Sequence, residues 1–175
     1  NEKRAVKRIK SDLPGVHVTA SHEVLPQSGE YERSMATALN CYTMPVIAEY
    51  LTALERELRN VGVTAPLYIM ASDGGVLSAV DARRLPIHTA LSGPAGGAAG
   101  AAKFAKELGE PGIFTLDVGG TSSDVACAQH GVVDATVDGT IGAFPLAIPV
   151  LDVHTVGAGG GSLARVIDGR FTVGP

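Results

Sequence analysis

The feature that most constrains the fold of this chain is a glycine turn between two strand-like runs at residues 114–126, FTLDVGGTSSDVA. The run before the turn is almost wholly apolar as far as Asp117, and Gly119 and Gly120 remove side chains where the backbone must bend. We expect a hairpin whose main-chain amides line a concavity able to bind an anion such as phosphate. The spacing alone is equally compatible with an ordinary hairpin that has polar turn residues.

Acids and hydroxyls flank this turn. Asp117 and Asp124 would repel a bare phosphate, so their presence suggests a divalent cation between acids and anion, and Mg²⁺ is the ion that binds one or two carboxylates and keeps several waters. Thr121, Ser122 and Ser123 add hydroxyl donors. Because Asp117 ends an apolar strand that we expect to be buried, an idle carboxylate there would be costly to desolvate. Asp117 and Asp124 are therefore the predicted catalytic and metal-binding residues. The predicted phosphate-binding residues all lie in the turn: Gly119, Gly120, Thr121 and Ser122.

A second glycine run, GAGGGS, occupies residues 157–162. It is not the dinucleotide fingerprint, because Ser162 replaces the third glycine and the run precedes a strand rather than a helix. Two interpretations stay open: a close approach of the backbone to a ligand at a cleft, with cofactor contacts from Gly157, Gly159 and Gly160, or a structural turn. Asp152 and His154, two residues apart, would share one strand face as an acid/base pair, as metal ligands or in a structural hydrogen bond.

The predicted secondary structure changes from helix-rich to strand-rich near residue 112. Residues 1–112 are predicted to be helix-rich, with a strand at 16–20, a helix beginning at Pro45 and ending at Gly62, and a connecting helix that ends at Gly109. Residues 113–175 are predicted to be strand-rich, with consecutive hairpins. The two segments are expected to form one structural unit cut from a larger enzyme. Three dipeptides are the predicted turns: His130-Gly131, Asp138-Gly139 and Asp168-Gly169.

Charge and composition exclude several classes of partner. A net charge of -4 and a pI of about 5.7 give no broad positive surface, so we expect no nucleic-acid partner. No apolar run approaches the roughly 18 residues that span a bilayer, and no signal-peptide pattern is visible at the front. Cys41 and Cys127 show no metal-site spacing. We therefore expect a cytoplasmic protein without a membrane segment.

Six motifs in one order connect the chain to a known family. They are Ser21-His-Glu, Glu30-Tyr-Glu-Arg33, Ser72-Asp-Gly-Gly75, Leu91-Ser-Gly-Pro-Ala95, Asp117-Val-Gly-Gly-Thr-Ser122 and Thr155-Val-Gly-Ala-Gly-Gly-Gly-Ser162. The set resembles the hydantoinase A/oxoprolinase family, within the superfamily of sugar kinases, actin and heat-shock chaperones. The resemblance implies an α/β, ribonuclease-H-like (actin-like ATPase) domain fragment, with N-terminal helices followed by a mixed sheet rich in hairpins. It also implies ATP and Mg²⁺ as cofactors.

The same resemblance implies a function. It is ATP-dependent ring-opening hydrolysis of a five-membered cyclic amide (hydantoin, N-methylhydantoin or oxoproline), with phosphorylation of the amide oxygen. A companion B-type subunit or domain and an oligomeric enzyme are implied, and the isolated fragment is expected to be inactive because the first phosphate loop lies outside it. Three alternatives are kept: the ATP-using subunit of an acetone or acetophenone carboxylase, a non-catalytic nucleotide-binding module, and glycine turns that bind no nucleotide.

Overall fold

A computed structural model describes residues 1–174 of the chain as an α/β protein with two compact units. The first unit comprises Asn1–Leu91 and Thr136–Val150, and the second comprises Ser92–Ala135 and the chain from Leu151 onward. The boundary predicted at residue 112 falls inside the second unit, because the connecting helix packs on the strands that follow it.

Five α-helices, a short 3₁₀ helix and twelve strands make up the described chain. The helices are α1 (Glu2–Asp12), α2 (Ser21–Val24), α3 (Glu30–Asn60), α4 (Ala79–Arg84), the 3₁₀ helix (Pro86–Thr89) and α5 (Ser92–Leu108). The strands are β1 (Tyr68–Met70), β2 (Val76–Ser78), β3 (Gly112–Val118), β4 (Ser123–Gln129), β5 (Val132–Val133), β6 (Ala135–Thr136), β7 (Thr140–Ile141), β8 (Phe144–Pro145), β9 (Val150–Leu151), β10 (Val153–Val156), β11 (Leu163–Ile167) and β12 (Arg170–Gly174).

Helix α3 is longer than the sequence predicted. The helix expected to begin at Pro45 is the second half of one 31-residue helix, and Pro45 lies inside it. Proline removes one main-chain hydrogen bond there, but the buried positions run on both sides of it, so packing keeps the helix continuous. Those buried positions are Ala36, Asn40, Met44 and Leu51.

The core of the first unit lies between α2, α3, the 3₁₀ helix and the segment 146–150. Its buried members are Val24, Leu25, Ala36, Ile87, Leu146, Ala147, Ile148 and Val150. Asn40 is fully buried among them and donates to Thr19 Oγ1 (3.2 Å) and the Arg84 carbonyl (3.0 Å), while its Oδ1 accepts from the Ile87 amide (3.2 Å).

The prediction of a strand at residues 16–20 is wrong, because that stretch is irregular.

The second unit is built on the β3–β4 hairpin. Strand β3 pairs with the whole of β4, and β10 and β5 pair with β4 along its other edge. These pairings are antiparallel, where the sequence predicted a mixed sheet. Helix α5 covers one face, and its small side chains bring it close to the sheet. The buried residues there are Ala98, Ala102, Ala126, Ala128 and Val133.

The opposite face of this sheet is exposed within the described chain. Phe114, Leu116 and Val118 are 83%, 69% and 55% exposed. The expectation that β3 is buried is therefore wrong for this part of the molecule, because the described residues cover only the face that α5 contacts.

Two of the three predicted turns have the expected geometry. His130-Gly131 has φ of 51° and 79°, and Asp168-Gly169 has φ of 52° and 76°, as a tight two-residue turn requires. Asp138-Gly139 is not such a turn. Between the neighbouring strands β7 and β8, the residue with a positive φ is Gly142 (59°).

Candidate functional site

The turn between β3 and β4 is the centre of the candidate site. Val118 pairs with Ser123, and the Gly119 amide donates to the Ser122 carbonyl at 2.8 Å, which closes the loop. Over residues 1–174, the amides of Gly120, Thr121 and Ser122 have no acceptor. Gly120 and Thr121 are exposed, and Ser122 is half-buried. Three consecutive free amides at an accessible turn are the main-chain feature that binds anions.

The second glycine run holds this turn in place. The amide of Gly160 donates to the Gly119 carbonyl (2.9 Å), and the amide of Gly161 donates to the Gly120 carbonyl (2.8 Å). The Ser123 hydroxyl donates to the Ala158 carbonyl at 2.6 Å. The structure therefore joins the two glycine segments that the sequence analysis treated separately. It also commits the Ser123 hydroxyl to this support, so the prediction of Ser123 as a further donor to an anion is wrong in this structure.

The contact explains why glycine occupies position 159. A Cβ on Gly159 would lie 2.6 Å from the Gly119 carbonyl oxygen and 2.8 Å from the Ser122 nitrogen, both of them main-chain atoms. A Cβ on Gly160 would come no closer than 3.7 Å to the same oxygen, and one on Gly157 would meet nothing within 4 Å. This run therefore lies close to the main chain of the hairpin. The close approach to a ligand that was predicted for Gly157, Gly159 and Gly160 stays a prediction.

The two predicted acids lie side by side below the turn. Asp117 and Asp124 are direct partners in the β3–β4 register, so their side chains lie on the same face of the sheet. Asp124 also pairs with Thr155 of β10, whose hydroxyl donates to Asp124 Oδ1 at 2.5 Å. Asp117 is exposed and makes no hydrogen bond through its side chain within the described residues.

These acids fit a magnesium ion only in part. Mg²⁺ prefers oxygen ligands and is commonly held by one or two carboxylates with substrate phosphates and waters. Asp117 and Asp124 supply the carboxylates. The described chain contains no group of three or more metal-ligating side chains, so the remaining ligands would have to come from phosphate and water.

His154 does not lie beside this pair. His154 is the register partner of Val125, which places its side chain on the face opposite Asp117 and Asp124. The Asp152 amide donates to the Asp134 carbonyl at 2.8 Å. His154 and the acid pair therefore belong to different faces of one sheet.

Sequence reasoning missed residues that hold Asp124 and the second glycine run in place. Thr155 binds Asp124, and Ser162 accepts from the Gly159 amide (2.9 Å) and donates its own amide to the Gly159 carbonyl (2.9 Å). Gly161, which the prediction omitted, would place a Cβ 3.0 Å from the Gly120 carbonyl oxygen. The β-branched residues before GAGGGS predicted a strand there, but they gave no indication that this strand pairs with β4.

No helix among residues 1–174 has both the length and the apolar character to cross a membrane.

Caprolactamase, oxoprolinase and acetone carboxylase are among the proteins that this chain resembles. The caprolactamase subunit alpha of Pseudomonas jessenii is 33% identical over 176 residues, 100% of this chain and 25% of that subunit. The crystal structure of the ATP-dependent caprolactamase from the same organism covers 99% of this chain and 25% of its own, with a TM-score of 0.84 and 34% identity. The 5-oxoprolinase of Saccharomyces cerevisiae is 33% identical over 178 residues, 100% of this chain and 14% of that enzyme. A nucleotide-free acetone carboxylase structure has a TM-score of 0.76 and 28% identity, over 99% of this chain and 24% of its own.

The chain thus spans a quarter or less of the length of these relatives. The profile of the Hydantoinase/oxoprolinase family matches residues 33–175, which include the hairpin, the acid pair and the second glycine run. The chain belongs to the hydantoinase/oxoprolinase family.

Proposed function

We propose that the full-length protein is an ATP-dependent amidohydrolase that opens a five-membered cyclic amide, with hydantoin, N-methylhydantoin and oxoproline as candidate substrates. The single observation that carries the proposal is the β3–β4 turn with three free amides above a pair of carboxylates. The ATP-dependent caprolactamase and the 5-oxoprolinase among the relatives support ATP-dependent hydrolysis of a cyclic amide in general, and the five-membered ring is part of our proposal. The proposal includes a ribonuclease-H-like, actin-like ATPase class for the fold.

ATP is useful here because an unstrained amide is a poor electrophile. Transfer of the γ-phosphoryl group to the amide oxygen releases ADP and converts that oxygen into a leaving group. Water then adds to the activated carbon, and the C–N bond breaks to leave an acyl phosphate. A second water attacks the acyl carbon, and phosphate leaves with the former amide oxygen. The net reaction consumes two waters and one ATP and gives ADP, phosphate and a ring-opened carboxylic acid. Catalysis of the first step depends on positioning and charge stabilisation.

We assign the positioning of phosphate to the turn. In this proposal the amides of Gly120, Thr121 and Ser122 donate to phosphate oxygens, and the hydroxyls of Thr121 and Ser122 add donors beside them. Gly119 completes the turn. Gly159 and Gly160 of the second glycine run support the same site, because the Gly160 amide donates to the Gly119 carbonyl and Gly159 lies against the main chain of the turn. We assign no contact to Gly157, where a Cβ would meet nothing within 4 Å.

Asp117 and Asp124 are the proposed ligands of Mg²⁺ or of waters bound to it. The ion would neutralise charge on the phosphates beside the two carboxylates. Thr155 holds Asp124 by a hydrogen bond to Oδ1, which leaves its second oxygen and the whole Asp117 carboxylate available within the described chain. Asp117 is therefore the better probe of the ion.

The test is phosphate release by the full-length protein with MgATP, with and without each cyclic amide. We expect stimulation by at least one of them. Asp117→Asn is expected to lower this turnover at least about tenfold, or roughly 1.4 kcal/mol of transition-state stabilisation, with the fold intact. Asp168→Asn is a matched control, because it makes the same substitution in the β11–β12 turn, outside the candidate site. No stimulation by any cyclic amide would overturn the substrate class, and unchanged turnover in Asp117→Asn would remove this carboxylate from the site.

A second candidate function is the ATP-using subunit of a ketone carboxylase. The observation that favours it is the acetone carboxylase structure, with a TM-score of 0.76. It predicts stimulation of phosphate release by acetone or acetophenone with bicarbonate and none by cyclic amides.

In either case we propose a companion subunit in an oligomeric enzyme, because the caprolactamase relative is itself named as a subunit alpha. A non-catalytic nucleotide-binding module would bind MgATP without stimulation by any of these compounds.

A further inference from the structure

A second cluster of polar groups lies in the first unit, at the junction of α1, α2 and α3. It surrounds the carboxylate of Glu2. The Ser21 hydroxyl donates to Glu2 Oε1 at 2.6 Å, and the His22 amide donates to Glu2 Oε2 at 3.1 Å. His22 Nδ1 lies 2.6 Å from Oε2, and a guanidinium nitrogen of Arg33 lies 3.6 Å from Oε1. A hydroxyl, a main-chain amide, an imidazole and a guanidinium therefore converge on one carboxylate.

The groups around this carboxylate are fixed independently of Glu2. Ser21 and His22 lie on α2, whose Val24 is 1% exposed in the core, and Arg33 lies on α3, one turn before the buried Ala36. The Arg33 guanidinium also donates to the Ser21 hydroxyl, so two of the donors orient each other. Helix α1, by contrast, has no buried residue. The carboxylate thus enters a framework built on the core from a helix that contributes nothing to that core.

The cluster has space and bonding capacity beyond Glu2. A surface cavity of about 370 Å³ opens beside it and is lined by Glu2, Ser21, Gly29, Glu30, Arg33 and Ser34. His22 Nε2 and Arg33 Nε are buried and have no hydrogen-bond partner within residues 1–174. Buried polar nitrogens without partners are uncommon in folded proteins. The side chains of His22 and Arg33 remain 30% and 31% exposed, so the cluster is accessible from solvent.

We propose that Ser21, His22 and Arg33 form a binding site for a small carboxylate ligand, which Glu2 occupies as an intramolecular substitute. The arrangement is suited to a carboxylate because charge-assisted hydrogen bonds from several donors fix both of its oxygens. Displacement of α1 exposes the donors without disturbing α2 or α3. A free carboxylate then takes the position of the Glu2 side chain, and the adjacent cavity receives the rest of the ligand.

The test uses acetate as the probe and the full-length protein, by saturation-transfer NMR of the acetate methyl group at constant ionic strength. Glu2→Ala empties the site, and we expect saturable acetate binding in the millimolar range. Asp12→Ala is the matched control: it removes another α1 carboxylate, which bonds to Arg8 alone, and it is expected to bind acetate no better than the parent. Adding Ser21→Ala to Glu2→Ala is expected to weaken acetate binding about tenfold.

Arg33→Met, in the Glu2→Ala background, tests the charged donor separately, and thermal unfolding shows whether each variant is folded. Equal acetate binding by the parent, Glu2→Ala and Asp12→Ala would overturn the proposal. So would a folded Glu2→Ala/Arg33→Met double variant that binds acetate as tightly as Glu2→Ala. Neither measurement involves nucleotide, so failure here leaves the proposed ATP chemistry untouched.

Discussion

The contact between the two glycine segments gives the sharpest mutational prediction. In Gly159→Ala, the new Cβ would lie 2.6 Å from the Gly119 carbonyl oxygen, 2.8 Å from the Gly120 carbonyl carbon and 2.8 Å from the Ser122 nitrogen. All three are main-chain atoms, so no rotamer change can relieve the overlap. One segment must move away from the other.

The size of the effect follows from overpacking. Forcing an extra methyl group into a closely packed place typically costs about 1–3 kcal/mol, and three main-chain overlaps put this site near the upper end. The displacement also weakens the hydrogen bonds that tie Gly160 to Gly119 and Gly161 to Gly120. Because those bonds fix the turn whose amides are the proposed phosphate ligands, we expect ATP turnover to fall about tenfold or more as well.

The assay compares Gly159→Ala with Gly157→Ala in the full-length protein. A Cβ at position 157 meets nothing within 4 Å, and Gly157 does not have a positive φ, so this control adds the same methyl group without the overlap. Calorimetric unfolding gives the stability difference, and phosphate release with MgATP and a stimulating amide gives the turnover. Equal stability and equal turnover in the two variants would refute the argument that the second run positions the first.

Two other predictions concern the first unit. Asn40→Ala leaves the buried Ile87 amide without its acceptor and removes two further hydrogen bonds. We therefore expect the free energy of unfolding to fall by about 3 kcal/mol. The control is Asn60→Ala, at an exposed position, which should change the free energy of unfolding little. Hydrogen bonds from Ser21 and then His22 lower the pKa of Glu2 from its ordinary 4.5 to about 2. The ionised Glu2 carboxylate therefore contributes its full stabilisation at pH values above its unfolded pKa, and this stabilisation is lost as the pH falls towards 2. NMR titration of the Glu2 carboxyl group should give a midpoint far below 4. A midpoint near 4.5 would contradict the hydrogen bonds from Ser21 and His22.

Local sequence signals correctly predicted the β3–β4 hairpin and the carboxyl-terminal end of α5. Gly109 has φ of 77° and follows α5 directly, as its position after the connecting helix indicated. The β3–β4 turn forms where two glycines interrupt two strand patterns. In each case the deciding interaction is local, and a glycine at the right position is enough to signal it.

Nonlocal contacts explain what the sequence did not predict. The continuity of α3 through Pro45 depends on packing along both halves of the helix, and the exposure of Phe114 depends on which face α5 covers. The pairing of β10 with β4 brings Thr155 to Asp124 across 31 residues of chain. The sequence identified the residue types of the candidate site, but the role of the second glycine run became visible only through this pairing.

In the proposed site, main-chain amides of the β3–β4 turn bind nucleotide phosphate. The most direct measurement is a crystal structure of the full-length protein with Mg²⁺ and a non-hydrolysable ATP analogue. We expect phosphate oxygens about 3 Å from the amide nitrogens of Gly120, Thr121 or Ser122, with Asp117 or Asp124 bound to the ion directly or through water. A bound nucleotide whose phosphates lie away from this turn would contradict it.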